Sequence, residues 1–435
     1  MGKFQKYINT NVLFNVAHLN KATVLTRIVA GILTSKAIAI FIGVEGMALI
    51  GNLRNFLSAV QASAILGFYN GLVKYIAEFK ENVLELSKTI STAFYLGYVS
   101  TVLVAFVSYY NSDFINDFLF SDNYSYAYVI RVMAVALPFY SLNMFCFAIM
   151  NGFSKYKMLL VINIIGQLLG LGITLVLIYQ SNIDGALVAA VLTPSLLVLM
   201  TLVAIMNQRS LVSSIQISNV NLEILKKFGP FAIMALVSAI AVPLASIVIR
   251  NHIIEVVGIK EAGYWEAMNR ISDYYLMFIM STMTLYFLPR FSELERKSEF
   301  RKEIFNFYKT VVPYFAAGLV IIYFLRSFIV PIIFSDEFQP TENLFFWQLL
   351  GDFVKVISVV IAYQFIAKRM FWHFIIIEIF LVCMMYLASV YLIDVYGVKG
   401  AVMGHFVSYL LFYGVVLLLF GSSLFGVIQE EEPQE

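Results

Sequence analysis

The stretch YKMLLVINIIGQLLGLGITLVLIYQSNIDGALVAAVLTPSLLVLMTLVAIMN, residues 156–207, reads as two apolar runs, 156–179 and 184–207, joined by a polar turn. Each run is long enough to cross a hydrocarbon core of about 30 Å, which takes roughly 20 apolar residues as a helix. Two such runs back to back predict a chain that threads the membrane repeatedly. The pattern continues on both sides. Runs at 22–43, 46–76, 89–110 and 127–150 come before, and runs at 228–250, 262–289, 305–326, 343–367, 371–393 and 399–425 come after. The expectation is an all-α polytopic membrane protein of about twelve transmembrane helices.

Composition agrees. Of 435 residues, 61% are hydrophobic and 13% charged, with a mean hydropathy of +0.84. Soluble domains carry about a quarter charged residues, so little of the chain remains for a water-soluble domain. A formal charge of +2 makes nucleic acid an unsuited partner. Cys146 and Cys383 both lie in apolar runs and read as buried side chains, with no disulfide framework or CxxC metal site. Met1–Lys21 is polar and mixed, so the first helix reads as a retained span. No P-loop, HExxH, GxSxG or GxGxxG stands in a fitting context, so the chain reads as no enzyme, without a cofactor beyond H+ or Na+ as a coupling ion.

Charge placement orients the chain. With the N-terminus cytoplasmic, that side collects eighteen Lys and Arg, from Lys3 and Lys6 through Lys80, Lys157, Arg209, Lys227, Arg301 and Lys302 to Lys368 and Arg369. The opposite loops hold Arg250, Lys260, Arg326 and Lys399 among six acids. The positive-inside rule puts both termini in the cytoplasm.

The halves repeat. LFSDNY from Leu119 recurs as IFSDEF from Ile333, IDGALVAA from Ile183 as VKGAVMGH from Val398, and Gly46 and Asn52 as Gly263 and Asn269, at offsets of 214, 215 and 217. Six helices per repeat is even, so the repeat is parallel, with two six-helix lobes related by an axis along the membrane normal. The expected lobes are 1–207 and 228–435, joined by a cytoplasmic linker at 208–227, with an acidic tail at Glu430–Glu435.

Ionised side chains are costly at the bilayer centre and those retained face a cavity or a partner. On the second helix Arg54, Ser58 and Gln61 share one face, with Asn52 and Asn55 beside them. The eighth carries Glu266, Arg270 and Asp273, and the tenth Gln348, Asp352, Lys355 and Ser358. Arg54, Arg270 and Lys355 are candidates to receive an anionic group, arginine being suited to fork onto phosphate oxygens. The alternative is that Glu266 and Asp273 merely neutralise Arg270, and Asp352 Lys355. Asp273, Asp352, Glu378 and His405 are candidates for a proton or sodium relay, since a carboxylate shielded from water can titrate near neutral pH. Gly166 and Gly170 read as a close helix-packing motif.

WQLLGDFVKV from Trp347, NRISDYYLMF from Asn269, YFLPRFSELE from Tyr286, and GNLRNFL and FYNGLVKYIAEF from Gly51 and Phe68 resemble the Wzx-type O-antigen translocases. These, with the similar enterobacterial common antigen flippases, belong to the multidrug/oligosaccharidyl-lipid/polysaccharide exporter superfamily. The resemblance implies a V-shaped pair of six-helix lobes in the bacterial inner membrane. Such a protein flips an undecaprenyl-diphosphate-linked oligosaccharide to the periplasmic leaflet, beside downstream polymerase and chain-length components. By motif, Arg54 stands in GNLRNF, Arg270 and Asp273 in NRISDYY, and Asp352 and Lys355 in WQLLGDFVKV. Asn52, Asn55 and Gln61 would join Arg54, Arg270 and Lys355 in binding diphosphate and glycan, the lobes rocking about Arg54 and Arg270. A cell-wall lipid flippase would share this basic cavity and a multidrug antiporter would want an acidic one. A membrane glycan polymerase would need a larger charged outer loop than 111–126, which has no basic residue.

Overall fold

The computed structural model describes residues 2–120, 124–206, 215–294 and 296–426, with 2–19, 206, 222, 227, 228, 231, 285, 288 and 289 by backbone alone. Lys3, Lys6, Asp122, Arg209, Lys227 and the Glu430–Glu435 tail therefore lie outside the described side chains. By their internal contacts the residues form two compact units, Met1–Ile247 and Val248–Glu435.

The first unit contains α1 (Gly2–Phe41), α2 (Gly43–Ala64), α3 (Phe68–Glu78), α4 (Val83–Tyr110), α5 (Ser112–Phe120), α6 (Ala127–Gly152) and α7 (Tyr156–Met206). It also takes the first part of α8 (Leu222–Val256). The second holds the end of α8, α9 (Ile259–Glu293), α10 (Lys297–Thr310), α11 (Val312–Ile333), α12 (Phe345–Ala367), α13 (Phe371–Tyr396) and α14 (Val398–Phe425). No strand occurs among the described residues. Counting α2 with α3 as one bent span and α7 as two, and adding α9, the described helices make about twelve passages of a multi-pass membrane protein.

Four elements depart from the sequence reading, each for a local reason. The span at 46–76 is broken: Leu66 and Gly67 take left-handed φ of 53° and 64°, and α2 and α3 meet at a 42° bend. A break inside a membrane frees carbonyls that must find donors. Ser100 of α4 donates to the Ser63 carbonyl at 3.0 Å, and the Thr101 hydroxyl sits 2.9 Å from that of Ala64. The outer connection 111–126 contains a helix, α5, because Asn116, Leu119 and Phe120 line one buried side of it. The ninth span starts at Val312 rather than 305. Before it, α10 buries Phe300, Ile304 and Phe307 while Lys297, Lys302 and Lys309 stay exposed, the pattern of an interfacial rather than a spanning helix. Pro313 in the first turn of α11 marks the new start. Finally, the seam between units lies at Ile247/Val248, inside α8, instead of at 208–227. Ile224 and Ala232 of α8 join the core of the first unit with Phe68, Leu72, Ile76, Ile90 and Phe145.

Within α7 the backbone turns at Ser181 and Asn182, and the two arms fold back on each other. A Cβ on Gly166 would stand 1.9 Å from Leu197, and one on Gly170 2.5 Å from Thr193. This is the close packing the GxxxG spacing predicts. Cys146 is buried and Cys383 exposed, the latter against the burial expected of it. Lipid covers an apolar side chain as well as protein does, so hydropathy alone does not say which face of a span a residue occupies.

The repeated motif marks one place in each unit. After the third span, Phe120 is 2% exposed, and after the ninth, Phe334 is 0% exposed, just ahead of the 3-10 segment Asp336–Leu344.

Candidate functional site

In the first unit the polar residues of α2 divide by depth. Asn52 is fully buried and donates to the Leu119 carbonyl at 2.8 Å, tying α2 to the end of α5. This residue, expected to face substrate, belongs to the frame. Arg54 and Ser58 are exposed, with Asn55 and Gln61 half-buried beside them, while Leu53, Leu57 and Val60 fill the opposite side. A guanidinium at membrane depth is unfavourable against hydrocarbon by about 2.5–3.5 kcal/mol on insertion scales. Past the break, Asn151 of α6 donates to the Tyr69 hydroxyl at 3.3 Å, a half-buried pair that periodicity along either helix does not reveal.

The second unit holds two charged groups. In the first, Glu266 accepts from Arg250 at 2.6 Å through one carboxylate oxygen and from Arg270 at 3.0 Å through the other. All three are buried, and the Arg250 guanidinium lies 5.1 Å from the Trp265 ring centroid. Of the two readings open for Arg270, the geometry matches pairing with Glu266; Asp273 points instead to an exposed position. Arg250, assigned by its place at the end of a run to an outer loop, is 1% exposed inside α8. The signal for it is Glu266 itself, since one carboxylate can take two forks.

The second group centres on Asp352, which is 0% exposed. Ser272 and Tyr275 of α9 donate their hydroxyls to Oδ2, Gln348 reaches both oxygens at 3.3 and 3.4 Å, and His405 Nε2 lies 3.0 Å from Oδ1. Three helices, α9, α12 and α14, thus converge on one carboxylate. Gly351 makes this possible: a Cβ there would stand 2.4 Å from the His405 ring. His405 packs on Tyr409 with ring centroids 4.9 Å apart, and the half-buried Lys355 places Nζ 5.4 Å from the same Tyr409 ring. Asp352 is thus held by these donors, with Lys355 as a charged neighbour. Glu378 is half-buried on α13 and is an electrostatic neighbour of Tyr409. Ser272 and Tyr275 flank Asp273 in NRISDYY, where the acid drew attention and its neighbours carry the contact. Among the described residues no cluster of three metal-ligating side chains occurs.

A family model described as polysaccharide biosynthesis protein matches residues 41–343. The chain belongs to that family. Among curated proteins, this member of the polysaccharide biosynthesis family is 28% identical over 403 residues to the lipid III flippase of Escherichia coli K12, covering 91% of this chain and 96% of that one. The same figures hold for the lipid III flippase of Shigella flexneri. Among solved structures, an inward-facing multidrug resistance MATE family transporter of the MOP superfamily superposes with a TM-score of 0.76 at 14% identity, over 92% of this chain and 95% of that. The lipid II flippase MurJ in an inward closed conformation gives 0.70 at 15% identity, over 94% and 87%. The fold is that of these transporters.

Proposed function

We propose that this protein is a flippase carrying an undecaprenyl-diphosphate-linked oligosaccharide from the cytoplasmic to the periplasmic leaflet of the bacterial inner membrane by alternating access. The observation that carries the reading is the nearly end-to-end match to proteins named lipid III flippase. Arg54 supplies the chemistry, an exposed guanidinium on a spanning helix where a diphosphate would pass. Asn55 and Gln61 are placed to meet glycan hydroxyls, and Lys355 is a second cation for the headgroup. Arg270, buried against Glu266, and Asn52 act from the frame. Both termini are cytoplasmic in this reading, from the distribution of Lys and Arg, and H+ or Na+ drives the cycle. Polymerase and chain-length components would receive the product. An exposed arginine is ill suited to a cation exporter, which disfavours the multidrug antiporter despite its shared fold.

The test is reconstitution in liposomes carrying such an oligosaccharide, with a membrane-impermeant glycosidase reporting outer-leaflet glycan. Protein-dependent exposure is expected. Its absence with several glycans would overturn the reading.

A further inference from the structure

The geometry points to the Asp352–His405 pair as a proton-carrying site that couples transport to a proton gradient. This rests on the flippase reading above and deepens it.

Two features of the site suit a proton. First, Asp352 is fully buried and held by the Ser272 and Tyr275 hydroxyls and the Gln348 amide, with a ring nitrogen of His405 3.0 Å from its Oδ1. Second, the side chain of His405 is 16% exposed while that of Asp352 is 0% exposed, so imidazole is the open edge through which a proton arrives. Imidazole is also the side chain that changes charge between pH 5 and 8.

The cycle is simple in charge. Empty, the pair is an aspartate with a neutral imidazole; loaded, one proton taken from water makes the imidazole cationic and cancels the buried negative charge. The carboxylate stays ionised in both states, but a cationic imidazole competes for it with the Ser272 and Tyr275 hydroxyls, so one proton changes how firmly α9 is held to α12.

The surrounding titratable groups are known. On α9 they are Tyr275 and Asp273, the latter an electrostatic neighbour of Lys355. Further along the same helix stands the Glu266 carboxylate between Arg250 and Arg270. On α12 it is Lys355, on α14 Tyr409, and on α13 Glu378, beside Tyr409. From α11, Tyr323 and Arg326 stack together near Phe346, at the start of α12. From α10, Tyr308 donates to the Ile357 carbonyl at 2.7 Å, past the site. Asp336, Glu337 and Glu342 lie in the 3-10 segment ahead of α12.

Two measurements decide it. In the liposome assay, the ratio of flipping rates with and without an imposed pH gradient is expected to exceed one several-fold for the wild-type chain, and to fall to one in His405→Gln and Asp352→Asn. An equal sodium gradient is expected to leave the ratio at one. Independently of transport, 15N-labelled histidine in nanodiscs gives signals from four imidazoles. The His405 signal, identified by its loss in His405→Gln, is expected to respond to pH in the wild-type chain and to respond differently in Asp352→Asn, because the neighbouring negative charge is gone. Stimulation by sodium alone overturns the proposal even if neither variant folds. So does a pH response surviving both substitutions, or a His405 midpoint indifferent to Asp352. Absence of any wild-type flipping defeats the flippase reading instead, and the histidine titration still reports on the pair.

Discussion

Gly351 shows how much a single hydrogen atom decides here. The ring of His405 occupies the space a methyl would fill, so Gly351→Ala should push it off Asp352. Overpacking of this kind is destabilising by about 1–3 kcal/mol, which a lowered Tm in detergent would register. An unchanged Tm would mean that the ring has room to move. Glu266 makes a sharper case. Its loss leaves two guanidiniums buried together, whereas loss of Arg270 leaves a balanced pair with Arg250. Glu266→Ala should therefore be more destabilising than Arg270→Ala, at about 3–5 kcal/mol for an uncompensated buried charge. The reverse order in thermal unfolding would show that the pairing does not hold in the membrane.

Helices in this chain follow the hydropathy pattern closely and deviate where a side chain can replace a backbone partner. The α2–α3 bend is steadied by hydroxyls of α4, Ser100 joining the Leu66 N–H on the Ser63 carbonyl and Thr101 reaching that of Ala64. Thr101→Val keeps the shape and removes the donor, and should lower stability by about 1–2 kcal/mol. A variant as stable as the parent would show that another group serves the Ala64 carbonyl. The α7 hairpin depends on close approach, so Gly166→Leu, aimed at Leu197, should separate the arms and lower the yield of folded protein. Neither the bend nor the division between α10 and α11 was legible beforehand. A residue such as Leu66 carries no sign of a positive φ, and Phe300, Ile304 and Phe307 are as apolar as a membrane face until their burial is seen.

For the molecule as a whole, transport should depend on Arg54 more than on any other side chain of α2. Arg54→Ala is expected to slow flipping by about tenfold or more, since a hydrogen bond to a charged group contributes about 1.5–3 kcal/mol. Lysine there should recover part of the rate, keeping the charge but not the fork. Wild-type rates in Arg54→Ala liposomes would remove this residue from the transport path.

Much was readable in the chain alone: an all-α membrane fold of about twelve spans, the family motifs, and the short roster of charged residues at membrane depth, Arg54, Glu266, Arg270, Asp273, Asp352, Lys355 and Glu378 among them. These follow from transfer free energies that add up residue by residue along a helix, and so can be read locally. Which of the charges meet was decided only in three dimensions. Asp352 finds Ser272 at a separation of 80 residues and His405 at 53, and Arg250 finds Glu266 across a helix turn that the pattern had placed outside the membrane. Such pairings depend on how helices rotate and pack against one another, a property of facing surfaces that no single helix encodes.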